Sequence, residues 1–443
     1  MYSTLIKINI FLVLACQTAV LLGQEAALKI KQRIEVDKIE ASFPVGFSQV
    51  VTAHKHYIAY YDADKNFSIA YRSLTDSLFK KTILHSKIGW DSHNYTTLIV
   101  DNEGYIHVSG NMHNDQLRYW RSEYPEDATS LKPIHFMTGN DEHSVTYPHF
   151  LKTNTGELLF HYRNGGSGNG YELYNKWNPN KKEWERFLEK PLIDGKGKKN
   201  AYMSGPFYED DGYYHLYWVW RQSPDCSTNH DFSYARSKDL KQWENVAGTT
   251  VDSPMTFENQ LLKVDSSPIK GSGMLNGVQA HALDEKNQIV LCNMKYDAEG
   301  NTQLYLYRSD GSKHWKEQQI TNWEHRFKFS GWGSIDFDVQ LINMQRLKNG
   351  NLSVVVKHKK YGLQQIIVDA KTLKPVSKKK WKDPLPEELT QSQRSDFGNK
   401  PIKVHLNTVG KYLLRWETLT ANNDNKPSGK LPDPGKLELI ILE

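Results

Sequence analysis

The chain has 443 residues, 38% apolar and 12% aromatic, and its mean hydropathy of −0.65 is low for a compact helical enzyme. A net charge of +5 suits an acidic partner, yet no basic run is dense enough to indicate nucleic acid, and the lysines at 378–380 read as a solvated turn. Three cysteines, one of them near the N-terminus, do not make a disulfide framework.

In chain order, the first element is a targeting segment. Lys7 precedes an apolar run over 8–22, closed by Gly23, Gln24 and Glu25. The run is too short for a membrane span and has a processing-like end, so 1–23 reads as a secretory signal peptide. The mature chain, 24–443, is then expected to be a single domain, secreted or periplasmic. Cys16, after Val13, Leu14 and Ala15, offers a lipoprotein anchor as the alternative, but 19–22 is apolar where such a site turns polar. No later stretch reaches ~18 uninterrupted apolar residues, so no membrane span is expected.

A recurring phrase follows. An apolar-alternating strand ends in tyrosine, then arginine or asparagine, then a polar turn. It reads IAYRSLTDSLF at 69–79, LRYWRSEYPED at 117–127, YELYNKWNPNKKEW at 171–184, FSYARSKDLKQW at 232–243 and LYLYRSDGSKHW at 304–315. The last two carry degenerate Asp-box turns, with Ser237, Asp239 and Trp243, then Ser309, Asp310, Gly311 and Trp315. Short strands repeating every ~40–70 residues imply small sheets arranged radially.

Hairpins give the same count. A first blade is expected around 45–85. Strands at 97–100 and 105–108 flank a turn at 101–104, and strands at 148–151 and 158–160 flank one at 154–156. The pattern returns at 205–220, 278–292 and 339–356, with a last blade around 400–443. The expected fold is all-β, a seven-bladed β-propeller, with 26–42 supplying a closing strand to the last blade. No helix beyond a turn or two is expected.

In such a hairpin, the start of the first strand and the end of the second lie on one face of the propeller. Those positions are His93 and His113 in the second blade, Tyr147 and Arg163 in the third, and Tyr202 and Arg221 in the fourth. Unselected loop ends would more often be Ser, Asn, Asp or Gly. No carboxylate pair occupies equivalent positions, which disfavours two-carboxylate glycoside hydrolysis. The set suits β-elimination from a uronic acid. A cationic side chain neutralises the carboxylate so that the C5 proton can leave, a His or ionised Tyr takes that proton, and a second group protonates the leaving oxygen. His143 and His149 are nearby, and strand alternation points His149 between blades. The glycine-rich stretch 165–170 lacks the ending of a phosphate loop and is expected to let a polymer approach the backbone.

These residues carry a resemblance. Ser92-His93-Asn94-Tyr95, Gly110-Asn111-Met112-His113, Tyr147-Pro148-His149-Phe150, Tyr162-Arg163-Asn164-Gly165 and Trp220-Arg221 resemble the BNR-repeat family, which includes seven-bladed ulvan lyases. The resemblance covers about 45–365. It implies cleavage of ulvan, an anionic sulfated algal polysaccharide, between rhamnose 3-sulfate and a glucuronic or iduronic acid. His93 and Tyr147 would be the proton-transfer pair. His113 and Arg163 would engage the uronate carboxylate. Tyr202, Arg221, Asn94 and His149 would bind substrate, with Tyr208 close enough to replace Tyr202. The protein would act as a monomer without an organic cofactor. Some such lyases carry a structural metal, and Cys226, His230, His281 and Cys292 could form a zinc (or calcium) site, or the two cysteines a disulfide or a pair of buried thiols. A hydrolase or lyase of plant-gum rhamnose–glucuronate linkages, a non-catalytic polysaccharide-binding propeller and a sialidase-like hydrolase are the alternatives.

Overall fold

A computed structural model describes residues 28–312, 314–398 and 400–443. The segment read as an export signal, with Cys16, lies outside the described residues.

The strand that opens each sheet touches its counterparts in neighbouring sheets. Ser48–Val51 contacts both Thr96–Val100 and Ile402–Val409, and Thr96–Val100 also contacts Val145–Lys152. Gln279–Leu283 contacts Val339–Arg346 in the same way. These strands line the axis of a seven-bladed β-propeller, and the later strands of each antiparallel sheet step outward. The expected count of seven holds among the described residues, with strands displaced by only a few residues from the hairpins read in the sequence. The ring closes as expected. Ile30–Ile39 pairs antiparallel with Gly435–Leu442, with Ile34 opposite Leu439, and becomes the outermost strand of the seventh blade. The α-helix among the described residues is the four-residue Glu387–Thr390.

The fourth blade shows why these sequences form propeller strands. Tyr214–Arg221 reads YHLYWVWR and is buried along its whole length. Alternation sends Leu216, Trp218 and Trp220 to one face, against Leu159 and Tyr174 of the third blade. It sends Tyr217 and Val219 to the other face, against Leu291, Tyr305 and Tyr307 of the fifth. Burial of an apolar side chain such as Leu216 contributes about 1.5–3 kcal/mol. A middle strand must therefore be apolar on both faces, whereas an outer strand such as Pro375–Lys380 is exposed throughout and lysine-rich.

The Asp-box turns are structural. Ser237 Oγ donates to the Gln242 carbonyl at 2.6 Å, Asp239 accepts from the Lys241 and Gln242 amides, and the buried Trp243 donates Nε1–H to the Leu240 carbonyl. Ser309 and Asp310 repeat the scheme one blade later.

Candidate active site

Three pieces of backbone bring the expected side chains together. The short strand His113–Asp115 leaves the second blade and adds to the edge of the third, with His113 opposite Thr146. The inner strand Val145–Lys152 then bulges. Its register passes from Thr146–Arg163 to His149–His161, so Tyr147 and Pro148 together face Tyr162. Tyr147 holds a φ of 55°, a left-handed value that a bulky side chain seldom adopts. Bulges re-aim side chains, and here the Tyr147 ring comes to 6.0 Å from His93, 5.8 Å from His113 and 6.3 Å from Tyr202.

Asp91 organises the histidines. Its Oδ1 lies 2.7 Å from His93 Nδ1 and its Oδ2 lies 2.6 Å from His113 Nδ1. The two imidazoles stack with centroids 4.4 Å apart. A second carboxylate, Asp424 from the seventh blade, reaches His93 Nδ1 at 3.1 Å. Burial opposes a charge on His93, but the bonds to Asp424 and Asp91 outweigh it and raise the imidazole to about 9. His113 goes the other way. Burial lowers it, the neighbouring His93 charge adds to that, and its bond to Asp91 only partly compensates. The surroundings thus favour a proton on His93 and disfavour a second charge on His113. Histidines split in this way can divide donor and acceptor roles.

Arg163 is 1% exposed, and its Nη1 and Nη2 make no hydrogen bond within the protein. Its Nε donates to the Gly165 carbonyl at 3.2 Å. The guanidinium carbon sits 4.9 Å from the Tyr147 ring and 5.3 Å from the Tyr202 ring. Arg72 and Arg121 also leave two buried nitrogens unbonded, so what sets Arg163 apart is its place between the Tyr147 and Tyr202 rings beside the two histidines, where its charge would suit a carboxylate. Arg221 is bound throughout. Its Nη1 donates to the Tyr202 hydroxyl at 2.8 Å, Nη2 to Asn276 at 2.6 Å and Nε to Asn229 at 2.7 Å. Burial would raise Tyr202, but Arg221, Arg163 and the bond to Ser167 bring it down to about 8. Tyr147 is pushed above the usual tyrosine range by burial and by Tyr202.

The mouth thus gathers His93, His113, Tyr147, Arg163, Tyr202 and Arg221. Asn94 follows His93 in the same turn and is buried, with an Oδ1 that has no partner. Tyr208 does not join the mouth: it is 40% exposed and packs at a tilt against Tyr214 at the other end of the strand. The bulge keeps His149 on the strand face of Arg163 and His161, and burial lowers it to about 3. His143 is exposed and bonded to Gln116.

Two expectations need correction. The glycines at 165–170 do not simply open the backbone to a polymer. A Cβ on Gly168 would lie 2.7 Å from the Ser223 backbone, and one on Gly170 would lie 2.9 Å from the Arg163 side chain. They let the chain pack closely, at Gly168 against Ser223 and at Gly170 against Arg163. The proposed metal ligands also do not converge. Ala280 pairs with Cys292 and His281 with Leu291, so His281 and Cys292 lie on opposite faces of their sheet. His281 is engaged by Tyr217 and Glu209, His230 by Lys199 and Asp231, and both cysteines are free and buried. This donor set does not fit a zinc or calcium ion. Among the described residues, Asp91, His93 and His113 do converge, their donor atoms within 4.8 Å. There each Nδ1 is already engaged by one Asp91 oxygen.

Asp91, Asp424, Ser167 and Asn276 were missed by sequence reasoning. Asp91 had a signal, two residues before His93 in a turn-forming stretch. Asp424 had none, because it lies on another blade.

Comparison with known proteins accords with this geometry. Residues 55–323 match the family described as BNR repeat-containing family member. An ulvan lyase, short isoform, of Alteromonas sp. (strain LOR) is 27% identical over 154 residues, covering 32% of this chain and 29% of that protein. The chain therefore matches less than a third of that relative's length. The polysaccharide lyase Uly1 superposes with a TM-score of 0.61 at 12% identity, over 93% of this chain and 99% of that one. A PL25 ulvan lyase superposes with a TM-score of 0.59 at 12% identity, over 93% and 96%. These structures share the propeller fold. With the repeat family matched over more than half of its length, the chain belongs to the BNR repeat-containing family.

Proposed function

We propose that this protein is a polysaccharide lyase that cleaves ulvan by β-elimination at a uronic acid. The observation that carries the reading is the buried Arg163 edge, whose Nη1 and Nη2 lack partners, set among groups of opposite proton-transfer character. Arg163 supplies the fixed positive charge that lowers the cost of the enolate formed when C5 loses its proton beside the carboxylate. The neutral His113 presents a free Nε2 as acceptor, and Tyr202, eased to about 8, is the alternative acceptor. His93 as imidazolium and Tyr147 as a hydroxyl are the donors for the leaving oxygen. The resemblance pairs His93 with Tyr147 in proton transfer; the electrostatics favour donor roles for both. The named ulvan lyase relative and fold neighbours support the polymer.

The test is incubation with ulvan while following absorbance near ~235 nm, where an unsaturated uronate absorbs, since elimination leaves a C4–C5 double bond. A rise that disappears in Arg163→Gln and Tyr147→Phe is the expected outcome. New reducing ends without that absorbance mean hydrolysis. Binding with neither signal means a polysaccharide-binding propeller.

A further inference from the structure

We infer that Asp424, carried in from the seventh blade, is a positioning residue that holds His93 as the permanent cation of the site and leaves His113 as its neutral partner. Asp91 cannot make that choice alone. It gives one oxygen to each Nδ1, at 2.7 and 2.6 Å, so it treats the two rings alike. Two stacked imidazoles 4.4 Å apart cannot both carry charge cheaply, so one proton must be shared or assigned. Asp424 breaks the tie, because its Oδ2 reaches only His93, at 3.1 Å.

The fold builds Asp424 for this position. Asn423 and Asp424 both take left-handed φ values, 48° and 57°, which Asn and Asp tolerate best among non-glycine residues. Asn423 fastens the turn by donating N–H to the Ser334 carbonyl at 3.0 Å and Nδ2–H to the Trp332 carbonyl at 2.8 Å. Asp424 Oδ1 accepts from the Ser92 amide at 3.1 Å and the Ser92 hydroxyl at 2.6 Å, and Oδ2 accepts from the Ser334 amide at 2.9 Å. Three donors keep the carboxylate ionised and fixed, only 8% exposed. The tie joins the second blade, the seventh blade and the connection between the fifth and sixth. The other charged or titratable groups around the two rings are Asp91, Tyr147, more distantly Tyr202, and Arg163, whose charge also disfavours a proton on His113. Asp424 is the carboxylate that reaches His93 without also bonding His113. The inference rests on the elimination reading for its catalytic consequence, not for the charge itself.

The experiment is a pH titration of the imidazole nitrogens by NMR in 15N-histidine-labelled protein, with His93 identified by its loss in His93→Gln. In the unmutated protein His93 keeps its proton past pH 8, while His113 stays neutral above pH ~6.5. Asp424→Asn keeps the shape and removes the charge, and is expected to lower the His93 midpoint by roughly one unit or more. On ulvan, the alkaline limb of the kcat profile should move down with it, with KM changing less. A His93 midpoint below pH 7 in the unmutated protein overturns the inference, and this arm needs no variant to fold. An unmoved midpoint in a folded Asp424→Asn protein overturns it too. If ulvan is not cleaved, the lyase reading fails and the titration still decides the role of Asp424.

Discussion

Two ends of the same blades use the same residue types to opposite effect. Away from the mouth, His107 gives Nδ1 to the Tyr119 hydroxyl at 2.8 Å and Nε2 to Asp101 at 3.1 Å. The fourth blade repeats this with His215, Tyr234 and Asp211 at 2.7 and 3.1 Å. Both rings are completely buried, both nitrogens are used, and burial holds both below the ordinary histidine value. At the mouth, His93 and His113 share one carboxylate and remain about one-fifth exposed. A satisfied histidine fastens two strands and a turn together; an incompletely satisfied one is available for chemistry. The partner set, not the residue, separates scaffold from site.

The comparison breaks first at Arg163. Arg163→Gln should reduce the elimination rate by about 10²–10³-fold, the usual effect of losing one group that stabilises developing negative charge. Arg163→Lys should lose nearly as much, because a point charge cannot replace the planar fork. Initial rates at ~235 nm and a thermal melt check this together, since a comparable loss of folded protein would assign Arg163 to the scaffold. Next comes Tyr147→Phe, expected to cost about 10²–10⁴-fold in kcat. Its hydroxyl is not needed by any strand, so the melting temperature should stay put.

At the satisfied end the expectation reverses. His107→Leu leaves Asp101 and Tyr119 buried without their partner, at about 1–3 kcal/mol per orphaned group. Denaturant unfolding should show that loss, while activity per folded molecule is unchanged. The pH signatures differ as well. His107 and His215 are depressed in the fold, so the unfolded chain binds protons more readily. Their contribution is present above the ordinary value of 6.5 and is lost as pH falls below it. His93 is raised, so its contribution is full below 6.5 and is lost as pH rises through about 9. Melting temperature against pH should therefore fall on both sides of a maximum near 6.5. His93→Gln should flatten the alkaline side alone.

The fold was legible because its signal is local and repeated. Each hairpin carries its own alternation and turn, so seven weak signals add to one strong one. The six mouth residues were legible for the same reason, as ends of hairpins whose geometry is fixed. What could not be read was pairing across blades. Asp424 and Ser92 are 332 residues apart and meet only because the ring closes. Hairpin adjacency also misled. It placed His281 beside Cys292, but a one-residue offset in an antiparallel pair puts two side chains on opposite faces. The Tyr147 bulge had only Pro148 as its sign, and proline alone does not give the direction of a bend.

The smallest effect is expected at Trp332, and it sharpens where the mouth ends. Its ring is 64% exposed, on the connection between the fifth and sixth blades. Its carbonyl holds Asn423, the neighbour of Asp424, so the backbone is tied to the site while the ring is free of it. Close by, Tyr296, Arg326, Lys328 and Phe329 line a pocket of about 510 Å³. Asp336 lines the same pocket, so its charge is mixed, and it is the exposed indole that suits the face of a sugar. Trp332→Ala removes the ring and leaves the carbonyl, so Asn423, Asp424 and His93 should keep their places. The expected result is an unchanged melting temperature, an unchanged kcat and a KM for long ulvan raised by a few fold, with little change for the shortest cleavable oligosaccharide. A fall in kcat would mean instead that the ring steadies the Asn423–Asp424 turn, and that the site extends by support rather than by contact.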